Sequence, residues 1–139
     1  MTSIFNDDQV FKNKEVCNVG LAGKTIGIFF VSFSELGSIT HMPLMKKFFK
    51  NKDDFGLHDF EIVIASLDEN ESDYNLLIDE SDAGWYYLEY QNPLIKELYE
   101  KYNVDQLPAL VVVRFNGDIV TKNGVPDIVT AYSLFDGWI

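Results

Sequence analysis

Cysteine is almost absent. Cys17 is the only one in 139 residues, so no intrachain disulfide can form and no zinc site can rest on several thiolates. Histidine is nearly as scarce, and neither His41 nor His58 has a companion His or Cys at ligand spacing. No metal and no cofactor are expected from such a set. Basic residues are outnumbered, with 11 Lys+Arg against 22 Asp+Glu and a formal net charge of −11. Phosphate neutralisation needs a basic footprint, and anionic bilayers attract basic clusters. Neither nucleic acid nor membrane is therefore an expected partner. Long apolar runs are missing too, since the most hydrophobic stretch, residues 26–33, is too short to cross a bilayer as a helix. The start lacks a basic region followed by an apolar core, so no secretory signal is expected and the compartment expected is cytoplasmic or nuclear.

What is present is a core. Hydrophobic residues make up 47% of the chain, which excludes intrinsic disorder. At this length one compact domain is expected, burying about 68% of its unfolded surface. The acidity is uneven. No Lys or Arg occurs from Asp53 to Ile95, and that segment carries twelve acids. A solvated acidic face is the simplest reading, and a dock for a basic partner is the alternative.

Residues 1–20 read as an N-terminal extension or a short hairpin around Asn13-Lys14. Residues 25–33 form a nearly continuous β-branched and aromatic run, which suits a central strand covered on both faces. The period then lengthens. Ile39, Met42, Met45, Phe48 and Phe49 fall on one helix face, with Pro43 inside the pattern as an expected kink. Ser32 and Glu35 have capping-box spacing, so this helix should begin between Phe33 and Ser38.

Residues 60–67 read as a second buried strand. Tyr74, Leu77 and Ile78 mark a short helix over residues 71–80. Asn92-Pro93 pairs an N-cap with a proline suited to the first helical position. Residues 109–115 and 118–121 flank Asn116-Gly117, a type I′ hairpin signal. Ile128, Val129, Tyr132 and Phe135 suggest a terminal helix. The order β-α-β-α-α-β-β-α implies an α/β fold with a central mixed sheet and helices on both faces.

These segments resemble the thioredoxin-like superfamily, and within it the tryparedoxin and nucleoredoxin group. The resemblance rests on Leu21-Ala22-Gly23-Lys24, Phe29-Phe30-Val31-Ser32, Met42-Pro43, Asp59-Phe60-Glu61-Ile62-Val63 and Asp68-Glu69. Gly84-Trp85, the run from Tyr99 to Val104 and Leu107-Pro108-Ala109-Leu110 continue it in order. It implies a thioredoxin-like domain over residues 21–139.

The family carries a Trp-Cys-Pro-Pro-Cys motif at the start of the helix. Counted back from Pro43, that motif falls on Ser34-Glu35-Leu36-Gly37-Ser38. Glu35 and Ser38 stand where the two cysteines belong. Dithiol exchange needs an attacking thiolate and a second sulfur to release the mixed disulfide. No catalytic residue is therefore assigned, and a redox-inactive domain is expected. An ionised Glu35 at a helix N-terminus would act as a cap worth about 0.3–1 kcal/mol. Leu107-Pro108 resembles the family's cis-proline position, which pairs with extended substrate segments. The resemblance thus implies a groove formed by Ser34, Glu35, Leu36, Gly37, Ser38, Trp85, Leu107 and Pro108, with a protein or peptide as partner.

Other constellations carry less. Glu35, Ser38 and His41 share a helix face, but Ser38 lies between the other two, so Glu35 could not orient the imidazole as a triad requires. Asp68, Asn70 and Ser72 echo a calcium loop, yet Asp73 replaces its glycine and Asp79 its final glutamate. Cys17 lies outside the motif. Residual thiol-redox or glutathione-linked activity through Cys17 or Ser38 is the alternative to a redox-inactive binding domain.

Overall fold

The computed structural model describes residues 10–12, 15–16, 24–33, 36–50, 59–81, 85–105, 107–114 and 118–121. Ten elements follow in chain order: β1 (Val10–Lys12), β2 (Glu15–Val16), β3 (Thr25–Val31), α1 (Leu36–Lys50), β4 (Phe60–Ser66), α2 (Glu71–Ser81), β5 (Tyr86–Leu88), α3 (Pro93–Lys101), β6 (Ala109–Val113) and β7 (Ile119–Thr121). They build one sheet of order β2-β1-β5-β4-β3-β6-β7. Parallel pairs β3–β4 and β4–β5 sit at its centre, and antiparallel pairs flank them.

β3 occupies the middle because both of its faces are apolar. All seven of its residues are buried. Ile26, Ile28 and Phe30 turn to one side, with Val63, Ala65, Val111, Val113 and the α3 residues Leu94, Ile95 and Leu98. Phe29 and Val31 turn to the other, with Met42, Met45 and Phe48 of α1, Tyr74 and Leu77 of α2, and Ile62 and Ile64 of β4. Period-two alternation along the strands thus feeds two cores. Gly27 lies at a close approach, since a Cβ there would lie 3.0 Å from both Leu110 Cδ1 and Phe60 Cζ.

The helix boundaries follow local chemistry. The Asn92 side chain accepts a hydrogen bond from the Leu94 amide at 2.9 Å, and Pro93 opens α3. At the other end Asn103 takes φ 53°, its amide donates to the Glu100 carbonyl, and the Val104 amide donates to the Tyr99 carbonyl. This is a Schellman closure with asparagine in the left-handed position usually given to glycine. α2 starts on a reciprocal pair: the Asp73 amide donates to Asn70 Oδ1 and Asn70 Nδ2 donates to Asp73 Oδ2.

Some expectations hold and others need correction. Tyr86–Leu88 is a strand, although three residues gave too little alternation to show one. The N-terminal hairpin is hydrogen-bonded into the same sheet through β5, with Val10 opposite Leu88 and Phe11 opposite Tyr87. β3 stops at Val31 and β6 at Val113, each two residues short of the expected end. α1 begins at Leu36, so Ser32 stands too early to be its cap. Pro43 lies inside α1 on its exposed side. The turn at Asn116-Gly117, the terminal helix and Cys17 lie outside the described residues. No helix among the described residues is long and apolar enough to cross a membrane.

Candidate functional site

The parallel strands β3 and β4 end side by side, with Val31 opposite Ser66. β6 runs against β3, and its first residue, Ala109, faces Phe30. Chain segments leaving β3 and β4 and entering β6 therefore meet at one end of the sheet. α1 starts at Leu36, five residues beyond Val31, so its first turn follows directly from that end.

The segments are joined by a buried carboxylate. Asp68 is only 5% exposed. Its Oδ1 accepts from Ser32 Oγ at 2.8 Å and from the Phe33 amide at 2.8 Å. Its Oδ2 accepts from Ser66 Oγ at 2.7 Å, while the Asp68 amide donates back to Ser66 Oγ at 3.2 Å. The Leu67 amide adds a backbone tie to the Val31 carbonyl at 2.8 Å. A buried charge needs such compensation, and hydrogen bonds to a charged acceptor are the stronger kind. Both serines are buried as well. The group therefore holds the exit of β3 against the exit of β4, and its acceptors are already engaged.

This network was missed in the sequence. Its signal was a polar residue interrupting each of two apolar runs: Ser32 after Val31 and Ser66 before Leu67. Asp68 had suggested a calcium loop. Its side chain instead faces the two serines, and Asn70 caps α2. Among the described residues no group of three or more His, Cys, Asp or Glu could hold a metal ion.

Seven of the eight expected groove residues fall into three groups. Leu107 and Pro108 are half-buried at this end, just beyond the last β3–β6 rung, and the peptide bond between them is cis. Leu107 packs against the core on the α3 side. Leu36, Gly37 and Ser38 form the first turn of α1. Ser34 and Glu35 lie outside the described residues.

Trp85 belongs to none of these groups, and its place on the groove wall is corrected. It is 4% exposed and packs edge-on against Phe29 and Phe49 in the core. Its successor, Tyr86, pairs with Val63, whereas Ala109 lies level with Ala65 through Phe30. Trp85 thus stands about 10 Å further down the sheet at 3.3 Å per residue. Its Nε1 has no hydrogen-bond partner among the described residues.

Two tyrosines pack together near the loop after β4, and one of them bonds it. Tyr90 donates to the Glu69 carbonyl at 2.8 Å, and its ring lies 5.4 Å from that of Tyr74. Tyr74 donates to the Leu88 carbonyl at 3.1 Å. Burial, with added repulsion from Tyr87, Glu89 and Glu71, holds the Tyr74 hydroxyl well above the ordinary tyrosine range.

A parallel βαβ centre, an antiparallel strand entering after a proline, and a helix springing from the shared sheet end define a thioredoxin-like scaffold. Comparison with known proteins agrees, and the chain belongs to the Thioredoxin-like family, which matches residues 23–119. Human nucleoredoxin-like protein 1 is 29% identical over 91 residues, covering 63% of this chain and 43% of that protein. The chain thus spans less than half the length of the curated relatives it matches. Thioredoxin from Wuchereria bancrofti superposes with a TM-score of 0.82 at 29% identity, covering 94% of this chain and 91% of its own. Tryparedoxin I from Leishmania major gives 0.79 at 25% identity, covering 87% and 83%.

Proposed function

We propose that this domain binds an extended protein or peptide segment at the end of the sheet beside Pro108, without dithiol chemistry. One observation carries the reading: the chain belongs to the Thioredoxin-like family, yet Cys17 is its only cysteine, so it holds no Cys-x-x-Cys pair, and the count back from Pro43 puts Glu35 and Ser38 where the resemblance implies the two thiols. A serine hydroxyl is far less acidic than a thiol, and a carboxylate cannot release a mixed disulfide, so the exchange step loses both of its sulfurs. Meanwhile the sheet end is still braced by the Asp68 network, which uses no sulfur. A held scaffold without its reactive pair is suited to recognition. The charge at this end favours a partner that is not acidic, because Glu69 and Asp105 are exposed there.

Two measurements test this. In an insulin-reduction assay with dithiothreitol, the protein should match the no-protein blank while a thioredoxin control accelerates precipitation. Peptides selected from a displayed library should shift the amide resonances of Phe33, Leu67 and Ala109. Turnover above the blank refutes redox inactivity, and shifts confined to other surfaces refute the groove.

A further inference from the structure

We propose that Tyr90 is a positioning residue for the site end, acting through the main chain of Glu69. The Tyr90 hydroxyl donates to the Glu69 carbonyl at 2.8 Å. That carbonyl belongs to the peptide unit between two anchors. On one side is Asp68, whose carboxylate holds Ser32 and the Phe33 amide. On the other is Asn70, whose side chain caps α2 and whose carbonyl accepts from the Tyr74 amide.

Tyr90 is itself held in place. Its ring packs against Tyr74 at 5.4 Å, and it is the second residue of a turn in which the Asn92 amide donates to the Glu89 carbonyl. Gln91, the next residue of that turn, has a left-handed φ of 57°. The turn between β5 and α3 is therefore connected to the exit of β3 through Tyr90, Glu69, Asp68 and Phe33. Each link is a single hydrogen bond or one residue of chain. Asp68 can hold the Phe33 amide only while its own backbone stays in register, and Tyr90 pins the peptide unit one residue on. The proposal concerns the unliganded conformation, so it stands independently of peptide binding.

Tyr74 supplies an internal control. It is the other member of the ring pair, and its hydroxyl bonds the Leu88 carbonyl in β5 rather than the site loop. Native-state amide hydrogen exchange on Tyr90→Phe and Tyr74→Phe separates the two roles, because both keep their rings. In Tyr90→Phe the Phe33 amide should exchange about five-fold faster relative to the central amides of β4, the change expected for one net hydrogen bond. In Tyr74→Phe that ratio should stay at the wild-type value. Three results overturn the proposal: an unchanged ratio in Tyr90→Phe, an equal acceleration of Phe33 and the β4 amides, or the same change of ratio in Tyr74→Phe.

Discussion

Removing the Asp68 carboxylate should unhinge the site end and cost a large part of the domain's stability. Asp68→Ala deletes the acceptor of three donors: Ser32 Oγ, Ser66 Oγ and the Phe33 amide. A buried donor left without a partner costs about 1–3 kcal/mol. The hydroxyls can rotate towards other acceptors and the Phe33 bond is only part-buried, so the total falls near the lower sum, about 3–5 kcal/mol. Asp68→Asn keeps the shape and the oxygen facing Ser32 and Phe33. Only the contact with Ser66 must reverse, with the serine oxygen accepting from the new amide, and this should cost about 1–2 kcal/mol. Urea unfolding followed by tryptophan fluorescence measures both. With a slope of about 1–3 kcal/mol per molar, Asp68→Ala should lower the midpoint by roughly 2 M and Asp68→Asn by under 1 M. Pairing Ser66→Ala with each change should give strongly non-additive costs, since a hydrogen bond joins the two side chains. A loss below about 1 kcal/mol for Asp68→Ala would falsify the buried-brace account, as would equal costs for the two substitutions.

Gly27→Ala should destabilise by about 1–3 kcal/mol through overpacking, because its Cβ would meet Leu110 and Phe60 at 3.0 Å. Thermal melting checks this, and Phe60→Leu in the same chain should restore part of the loss. Asn92→Ala should cost about 1 kcal/mol by stripping the cap of α3. Asn103→Ala should cost about 1–2 kcal/mol and Asn103→Gly should not, given the left-handed φ of 53°. Chemical denaturation resolves all three. Stability should also fall in alkali. The folded Tyr74 hydroxyl is held above its ordinary value of 10.0, so its contribution is complete below that pH and is lost as pH rises beyond it. Tyr74→Phe should flatten the alkaline limb of the stability profile, and an unchanged limb would exclude this origin.

Much of the scaffold is legible from pattern alone. The doubly apolar run gave β3, the lengthened period gave α1, and Asn92-Pro93 marked α3 because cap and proline act within one turn. β5 stayed hidden. Its three residues carry no period, and only pairing with β4 on one side and β1 on the other makes them a strand. The site was less legible than the fold. Glu35 and Ser38 were assigned only by counting from Pro43; Ser38 lies in the first turn of α1, and Glu35 lies outside the described residues. Asp68 could not be read as a brace, because a carboxylate among many acids looks solvated until its depth is known. Trp85 failed for the opposite reason: an aromatic beside the glycine of a matched segment suggests a wall, but sheet register sets it in the core.

The hairpin of β1 and β2 also bears on solubility. β5 offers its neighbours a short, tyrosine-rich ribbon, Tyr86-Tyr87-Leu88, and its outer side is occupied by Val10 and Phe11. The sheet margin is thereby passed to β2, a strand of two residues. So short a margin is a poor template for a passing chain, which is one way natural sheets avoid edge-to-edge aggregation. β1 and β2 act in this sense as a guard, and the acidic chain behind them is spared a sticky flank.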